Sequence, residues 1–430
     1  MATGNSPSYT TVSSLSDLMK KTNTDVKVAL KRKTEEYDWF DDFPDERIIP
    51  SGNEMRIVLD VAYQTGGAMI PDGGYEDSVS TVAPAHGTFT FVQMNKRYSF
   101  TTLQKGFGSR GRAGYIQEQT LYSSIKAVER IARLIGIQTY GISTATVAVV
   151  GTTNGPASVM TGLVLKNAFG STLVPGTAAA DKLYITNLFR PGDLVAIIHS
   201  AAILEFGTVV ASPAAAGTAG AIDVTWNSSI TATANDLIVY AAAVTGATLN
   251  ETDQNRWPVG MIDGLTSSSV HGLASTSQAN WAAGYTNTAG GRMAYATQEA
   301  MINGLWNNGG VKMNRVIYSQ GVRRDIIAGE RAAMRYDNSS DFDWDGEIGT
   351  KGIKYMTSVL APTGMFIGWN DECIAKKVLS DKPDYEGGPN IFSLDKVQDK
   401  GAIAASYDFI YARVWTNRAG CGYASSLTES

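Results

Sequence analysis

The sequence predicts an α+β protein with a separate all-β segment in its middle. Three observations predict it. Leu121, Ile125, Val128, Ala132 and Ile135 step by four and three, one apolar stripe along a helix over 112–140. Between 144 and 248, six short apolar runs are separated by turns rich in Gly, Pro and Asn. After 249, helical and strand-like patterns alternate again.

Each element follows in order. In residues 1–50, Ser14 or Ser16 is placed to cap a helix through Leu18, Met19, Val26 and Leu30. A basic block, Lys20, Lys21, Lys27, Lys31, Arg32 and Lys33, is followed by an acidic one, Glu35, Glu36, Asp38, Asp41, Asp42, Asp45 and Glu46. With so little apolar periodicity this arm builds no core, and its charge blocks suit solvent or an opposite block on a neighbour. Met55–Leu59 and Thr88–Val92 alternate as strands. Between them Gly66-Gly67, Pro71 and Gly73-Gly74 exclude a regular helix, which leaves a long excursion of the functional kind. Arg97–Leu103 reads as a further strand before the helix, which would be roughly 40 Å long.

The all-β segment comprises TATVAVVGTT, ASVMTGLVL, DLVAIIHS, EFGTVVAS, AIDVTW and DLIVYAAAV, a small barrel or sandwich. Then residues 287–310 read as a helix ending at Gly309-Gly310, NRVIYS as a strand, and Ser319 as the cap of a second helix. GIKYMTSVL, GMFIGW and FIYARVW are strands.

Composition narrows the function. The 430 residues are 43% apolar, enough for a sizeable core. The net charge of -5 gives no basic footprint of a nucleic-acid reader. Charged residues make up only 18% and glycines number 44, a balance that suits a protein hiding surface against copies of itself. Cys373 and Cys421 read as buried free thiols rather than a disulfide framework. No apolar run reaches membrane-spanning length, and the N-terminal residues lack the apolar core of a secretory signal. The expectation is a protein made and used in a cytoplasm, or in something assembled there.

Few motifs carry chemistry. Gly106-Phe107-Gly108-Ser109-Arg110-Gly111 matches a dinucleotide-binding loop, G-x-G-x-x-G. The strand before it is polar and alternating, not the apolar run of a buried parallel strand. Glu118 and Glu129 fall inside the predicted helix, where the ribose-binding carboxylate does not belong. A hinge is the better reading of these glycines. Asp341-Phe342-Asp343-Trp344-Asp345-Gly346 resembles the start of a calcium loop, but its twelfth position is Gly352. His86, His199 and His271 have no metal-ligand spacing. Met301, Leu305 and Trp306 read as one core stripe. No cofactor, metal site or catalytic constellation is expected, and the chain does not read as an enzyme.

The order of pieces, together with PGDLVAII, GTVV, AIDVTW and ANDLIVY, then Pro258–Leu265 and NGLWNNGGVKMNRVIYSQGVRRDI, resembles the major capsid proteins of tailed bacteriophages with the HK97-type fold. The resemblance implies an N-terminal arm over 1–50, an extended E-loop with flanking P-domain strands over 51–111, and a P-domain spine helix over 112–143. It implies an all-β insertion domain over 144–248, a P-domain return segment over 249–285, an A-domain over 286–405, and a C-terminal P-domain strand and tail over 406–430. Gly66, Gly67, Met69, Ile70, Pro71 and Tyr75 become E-loop contacts to a neighbour. Gly106, Gly108, Gly111 and Gly114 become an assembly hinge. Lys31, Arg32, Lys33, Glu35, Glu36, Asp41 and Asp42 become arm ion pairs between subunits.

The implied partners are copies of itself in hexamers and pentamers, a portal, a decoration protein, and double-stranded DNA held by non-specific proximity inside a virion assembled in a host cytoplasm. The arm is short for a fused scaffold, so scaffolding comes from a separate protein or from a removed propiece. A Lys–Asn crosslink known in some relatives has no assigned residue, since Lys96, Lys105 and several Asn are equally available. A tail or surface-layer subunit is the rival structural reading, and a nucleotide-binding enzyme using Gly106–Gly111 the rival enzymatic one.

Overall fold

The computed structural model describes residues 45–47, 54–59, 85–101, 133–141, 146–168, 185–200, 202–214, 220–240, 258–275, 281–333, 352–378, 391–396 and 402–429. Strands β1 (Asp45–Arg47), β2 (Glu54–Leu59), β3 (Ala85–Thr90) and β4 (Val92–Thr101) precede helical residues 133–140. Then come β5 (Thr146–Val150), β6 (Asn154–Asn167), β7 (Leu194–His199), β8 (Ala202–Ala211), β9 (Ala221–Ala232) and β10 (Leu237–Tyr240). Helix α1 (Met261–Thr266) leads to β11 (Ser269–Val270), β12 (Leu273–Ala274) and β13 (Tyr285–Asn287). Helix α2 (Tyr295–Gly309), β14 (Arg315–Tyr318), α3 (Gln320–Ala333), β15 (Lys354–Thr357) and β16 (Phe366–Trp369) follow. The chain ends through β17 (Ile374–Val378), β18 (Ile391–Lys396), β19 (Ala402–Trp415) and β20 (Cys421–Ala424).

The chain divides into two compact units. One draws on Met1–Asn53, Phe91–Gly136 and Lys376–Ala412; the other on Glu54–Thr90, Ile137–Ala375 and Arg413–Ser430. The Thr88–Val92 strand expected from sequence is therefore split at Phe91 between β3 and β4, one strand in each unit.

The first unit is organised by β19. It pairs antiparallel with β18, from Ile391 opposite Asp408 to Lys396 opposite Ile403. It also pairs antiparallel with β4, from Thr101 opposite Ala402 to Val92 opposite Tyr411. The alternating Arg97–Phe100 stretch thus belongs to an antiparallel ladder, as its mixed polarity requires. The sheet runs β1-β17-β19-β18, with β1 parallel to β17 at its edge.

In the second unit, β5 to β10 close a barrel in the order β10-β5-β6-β9-β8-β7. Closure removes the exposed edges that six short strands would otherwise present. The apolar runs supply its interior: Ala148, Val150, Leu163, Val195, Ile197, Ile222 and Val224 are fully buried. Bulges in the β6–β9 ladder bend the strands around this core. At one of them the Gly162 amide donates to the Asp223 carboxylate at 2.8 Å, so the break in the ladder leaves no orphan donor.

The same unit holds a mixed sheet ordered β13-β20-β16-β14-β15. Helices α2 and α3 pack on it through Met301, Leu305, Val322 and Ile326, against Val316, Tyr318 and Phe366. Met301 and Leu305, four apart, share a helix face, as the stripe predicts. Trp306 does not join them. One further residue turns it about 100° away; it is 51% exposed, with the Lys312 ammonium 4.5 Å from its ring centre. Helix α2 also starts later than the pattern suggests, because Gly290 and Gly291 adopt φ of 74° and 91°. Its end is where the sequence puts it: Gly310 takes the left-handed conformation and its amide bonds the Trp306 carbonyl.

Candidate assembly interface

The residues singled out for assembly lie outside the described residues: Lys31, Arg32, Lys33, Glu35, Glu36, Asp41 and Asp42 in the arm, Gly66, Gly67, Met69, Ile70, Pro71 and Tyr75 in the excursion, and Gly106, Gly108, Gly111 and Gly114 before the helix. The acidic motif Asp341–Asp345 lies outside them as well. The structure describes instead the roots from which these segments leave.

The excursion is rooted on β2 and β3. Their antiparallel register runs from Glu54 opposite Thr90 to Leu59 opposite Ala85. Two consecutive residues of β3 fasten this hairpin. The Thr88 amide donates to the His271 carbonyl at 3.0 Å. Phe89, buried, meets the His271 ring edge-on at a centroid distance of 6.2 Å.

His271 sits at the tip of the β11–β12 hairpin. His271 and Gly272 form a two-residue turn with φ of 55° and 78°, the mirror-image turn that matches strand twist. The imidazole is buried, and its Nε2 accepts the Trp415 amide at 3.1 Å. One residue therefore joins the β2–β3 hairpin, the β11–β12 hairpin and the end of β19. Burial pushes its pKa down to about 4, Arg418 nearby adds to the effect, and a hydrogen bond of the ring to the Thr88 backbone opposes it. The ring is thus a neutral acceptor near neutral pH.

Arg418 is the second fastening. Its guanidinium is buried and donates to the carbonyls of Trp281 at 2.8 Å and Ser267 at 2.7 Å, over the Trp281 ring. Burial lowers its pKa, opposed by Cys421 and Asp263. Arg413 reaches the Thr139 hydroxyl at 2.8 Å and the Val259 carbonyl at 3.2 Å. Trp415 lies against Gly264 of α1, where any Cβ would overlap the indole. Cys373 and Cys421 are both buried free thiols, and burial holds the Cys421 thiol well above its usual pKa.

A third fastening comes from the last residues. Leu427 is buried in the core under α2 and α3. The Glu429 carboxylate accepts the Gly364 amide at 2.6 Å and the Ser319 hydroxyl. Ser319 precedes α3 as expected of a cap, but its hydroxyl serves Glu429. A carboxylate there favours the positive end of the helix.

His199 hydrogen-bonds Asp236 at 2.6 Å, and Asp236 also accepts the Thr233 amide at 2.7 Å, which ties the β9–β10 turn to the end of β7. At the arm, Asp45 stands opposite Lys376, Glu46 opposite Lys377 and Arg47 opposite Val378.

Sequence reasoning missed His271, Arg418 and Glu429 as organisers. A partial signal existed for the first: two residues ending in Gly separate Val270 from Leu273, the spacing of a short hairpin, although His-Gly is not among the usual turn pairs. Arg418 and Glu429 gain their roles only from partners far along the chain.

No known protein family matches the sequence, and no curated protein matches it. Solved structures do match. A chain of the capsid asymmetric unit of cyanophage A-1(L) aligns over 92% of this chain and 94% of its own, with a TM-score of 0.54 at 9% identity. The capsid of a native GTA particle aligns over 92% and 91%, with a TM-score of 0.44 at 8% identity. The capsid of cyanophage P-SCSP1u aligns over 91% and 88%, with a TM-score of 0.38 at 9% identity. The match to the cyanophage A-1(L) chain gives this chain the fold of that capsid chain along nearly its whole length, and at 9% identity the likeness is one of fold.

Proposed function

We propose that the chain is the major capsid protein of a tailed bacteriophage, a structural rather than catalytic protein of HK97-type architecture. The fold shared end to end with the cyanophage A-1(L) capsid chain carries this reading. Copies form hexamers and pentamers of a closed icosahedral head around double-stranded DNA, assembled in the host cytoplasm with a separate scaffolding protein and a portal. In this reading the barrel of β5 to β10 is the insertion domain, α2, β14, α3, β15 and β16 belong to the A-domain, and β20 belongs to the C-terminal P-domain strand and tail. Residues 60–84 are the tip of the E-loop, which lays Gly66, Gly67, Met69, Ile70, Pro71 and Tyr75 on a neighbour. Gly106, Gly108, Gly111 and Gly114 let the strand before them and the helix after them take different angles in five-fold and six-fold rings.

Negative-stain electron microscopy of the purified protein, beside a sizing column, tests this. Closed polyhedral shells or hexamer and pentamer rings are expected. Open tubes or flat lattices would replace it with a tail or surface-layer subunit. A monomer that binds a dinucleotide in a cofactor titration would return Gly106–Gly111 to the enzymatic reading.

A further inference from the structure

We infer that Cys373 and Cys421 form a latent disulfide, a dithiol that a small disulfide oxidant converts into an internal staple without rearranging the fold. Whatever the chain assembles into, the pair is a property of the single subunit.

The sequence holds two cysteines, and the fold puts them against each other. Both are free thiols, 1% and 0% exposed, and their side chains hydrogen-bond each other. The backbone builds this contact. Cys421 opens β20 opposite Trp369 of β16. After Trp369 comes Asn370, whose side chain caps the single turn Asp371–Cys373 and whose amide bonds the Gly420 carbonyl at 3.3 Å. The Cys373 carbonyl in turn accepts the Thr416 amide at 2.9 Å. Main-chain bonds thus pin both segments. Gly420 supplies the room: a Cβ there would lie 2.2 Å from the Cys373 Sγ and would displace it. Thiols already in contact need only small side-chain shifts to bond.

A buried cysteine usually serves as a small hydrophobe. The place of this pair in the chain suits more. The chain leaves the second unit after Ala375 and returns to it at Arg413. Cys373 lies just before the exit and Cys421 just after the return. A bond between them closes a loop around the whole of Lys376–Ala412 and holds the second unit shut where the chain departs and re-enters. Such a link stabilises mainly by restricting the unfolded chain, and more so for a longer loop.

The chemistry is thiol–disulfide exchange. One thiolate of the pair attacks a sulfur of the small disulfide, forms a mixed disulfide and expels one small thiolate, which takes up a proton. The second thiolate attacks the protein sulfur of that mixed disulfide and expels the other. The protein gives up two electrons and two protons, and the oxidant leaves as two thiols. Burial slows the first attack, because it disfavours the Cys421 thiolate. Contact speeds the second, because the resolving sulfur is already in place. A reducing cytoplasm keeps such a pair reduced, and an oxidising medium outside it does not.

The test incubates the purified full chain with hydroxyethyl disulfide, in native buffer and again in urea below the unfolding transition. Intact mass and iodoacetamide labelling are then read after denaturation without reductant. The expected product is lighter by two hydrogens, has lost both alkylatable thiols together, and runs as a single chain on a non-reducing gel. Its digest should contain a reducible peptide pair joining Cys373 to Cys421. Its thermal midpoint should stand several degrees above that of the reduced chain. Persistent hydroxyethyl adducts on either cysteine, or disulfide-linked dimers, would show that the two sulfurs do not bond within one chain, which overturns the inference. Two unreacted thiols under both conditions would overturn it equally. An internal disulfide with a lowered midpoint would show that the fold must distort to accept it, and the staple would be lost as a reading.

Discussion

His271 accepts one hydrogen bond through its ring, accepts another through its carbonyl and supports Phe89, so its protonation state is coupled to the root of the excursion. Burial keeps it neutral in the fold, with a pKa of about 4 against 6.5 for an exposed histidine. The unfolded chain therefore binds a proton between those values that the native chain does not. The contribution is fully present above pH 6.5, falls as pH drops through the window, and levels off below pH 4. The difference corresponds to about 3 kcal/mol. Denaturant titrations across the window should show a steeper loss for the natural chain than for His271→Asn, a residue that tolerates the positive φ but does not titrate. Equal slopes for the two would show that His271 is not the titrating group. Arg418 offers no such window, because a guanidinium stays charged throughout.

At the scale of elements, Glu429 tests whether the last residues hold α3. Its carboxylate bonds the Gly364 amide and the Ser319 hydroxyl at the start of that helix, on a partly exposed surface. Replacing it with Gln keeps the shape and removes the charge. The expected loss is about 1 kcal/mol, read as a lower midpoint in thermal or chemical unfolding. An unchanged midpoint would assign the anchoring to Leu427 alone. Most elements were legible where one face or both are buried. LVAIIH became β7 and LIVY became β10 because uninterrupted apolar runs have few other stable uses. IAKKV and IFSLDK escaped notice because charged residues interrupt their apolar pattern. CGYA, now β20 between β13 and β16, is too short and too poor in branched residues to announce a strand. The fastenings were less legible than the elements. Arg418 reaches Trp281 and Ser267 across more than a hundred positions, and no local pattern marks such a bond.

For the whole molecule, the shell proposed above poses the question of how one sequence would serve rings of different order. Identical subunits in five-fold and six-fold surroundings must differ somewhere, and packed cores do not deform continuously. Barrel and mixed sheet are such cores, with Leu163, Val195, Leu305 and Phe366 fully buried, so the difference must fall in segments without one. The run GFGSRGRAG, between β4 and the helical residues 133–140, has that composition. Replacing Gly106 and Gly108 with Val restricts the backbone of that run and changes no residue of either core. The double variant should fold with a near-natural unfolding midpoint and yet give few closed shells by negative stain, with rings or irregular aggregates in their place. Substituting Val at surface positions of the barrel, such as Thr161, should leave shell yield unchanged, which separates a hinge effect from a general effect of added β-branched residues. Normal shells from the Gly106→Val/Gly108→Val chain would move the adjustment elsewhere in the chain.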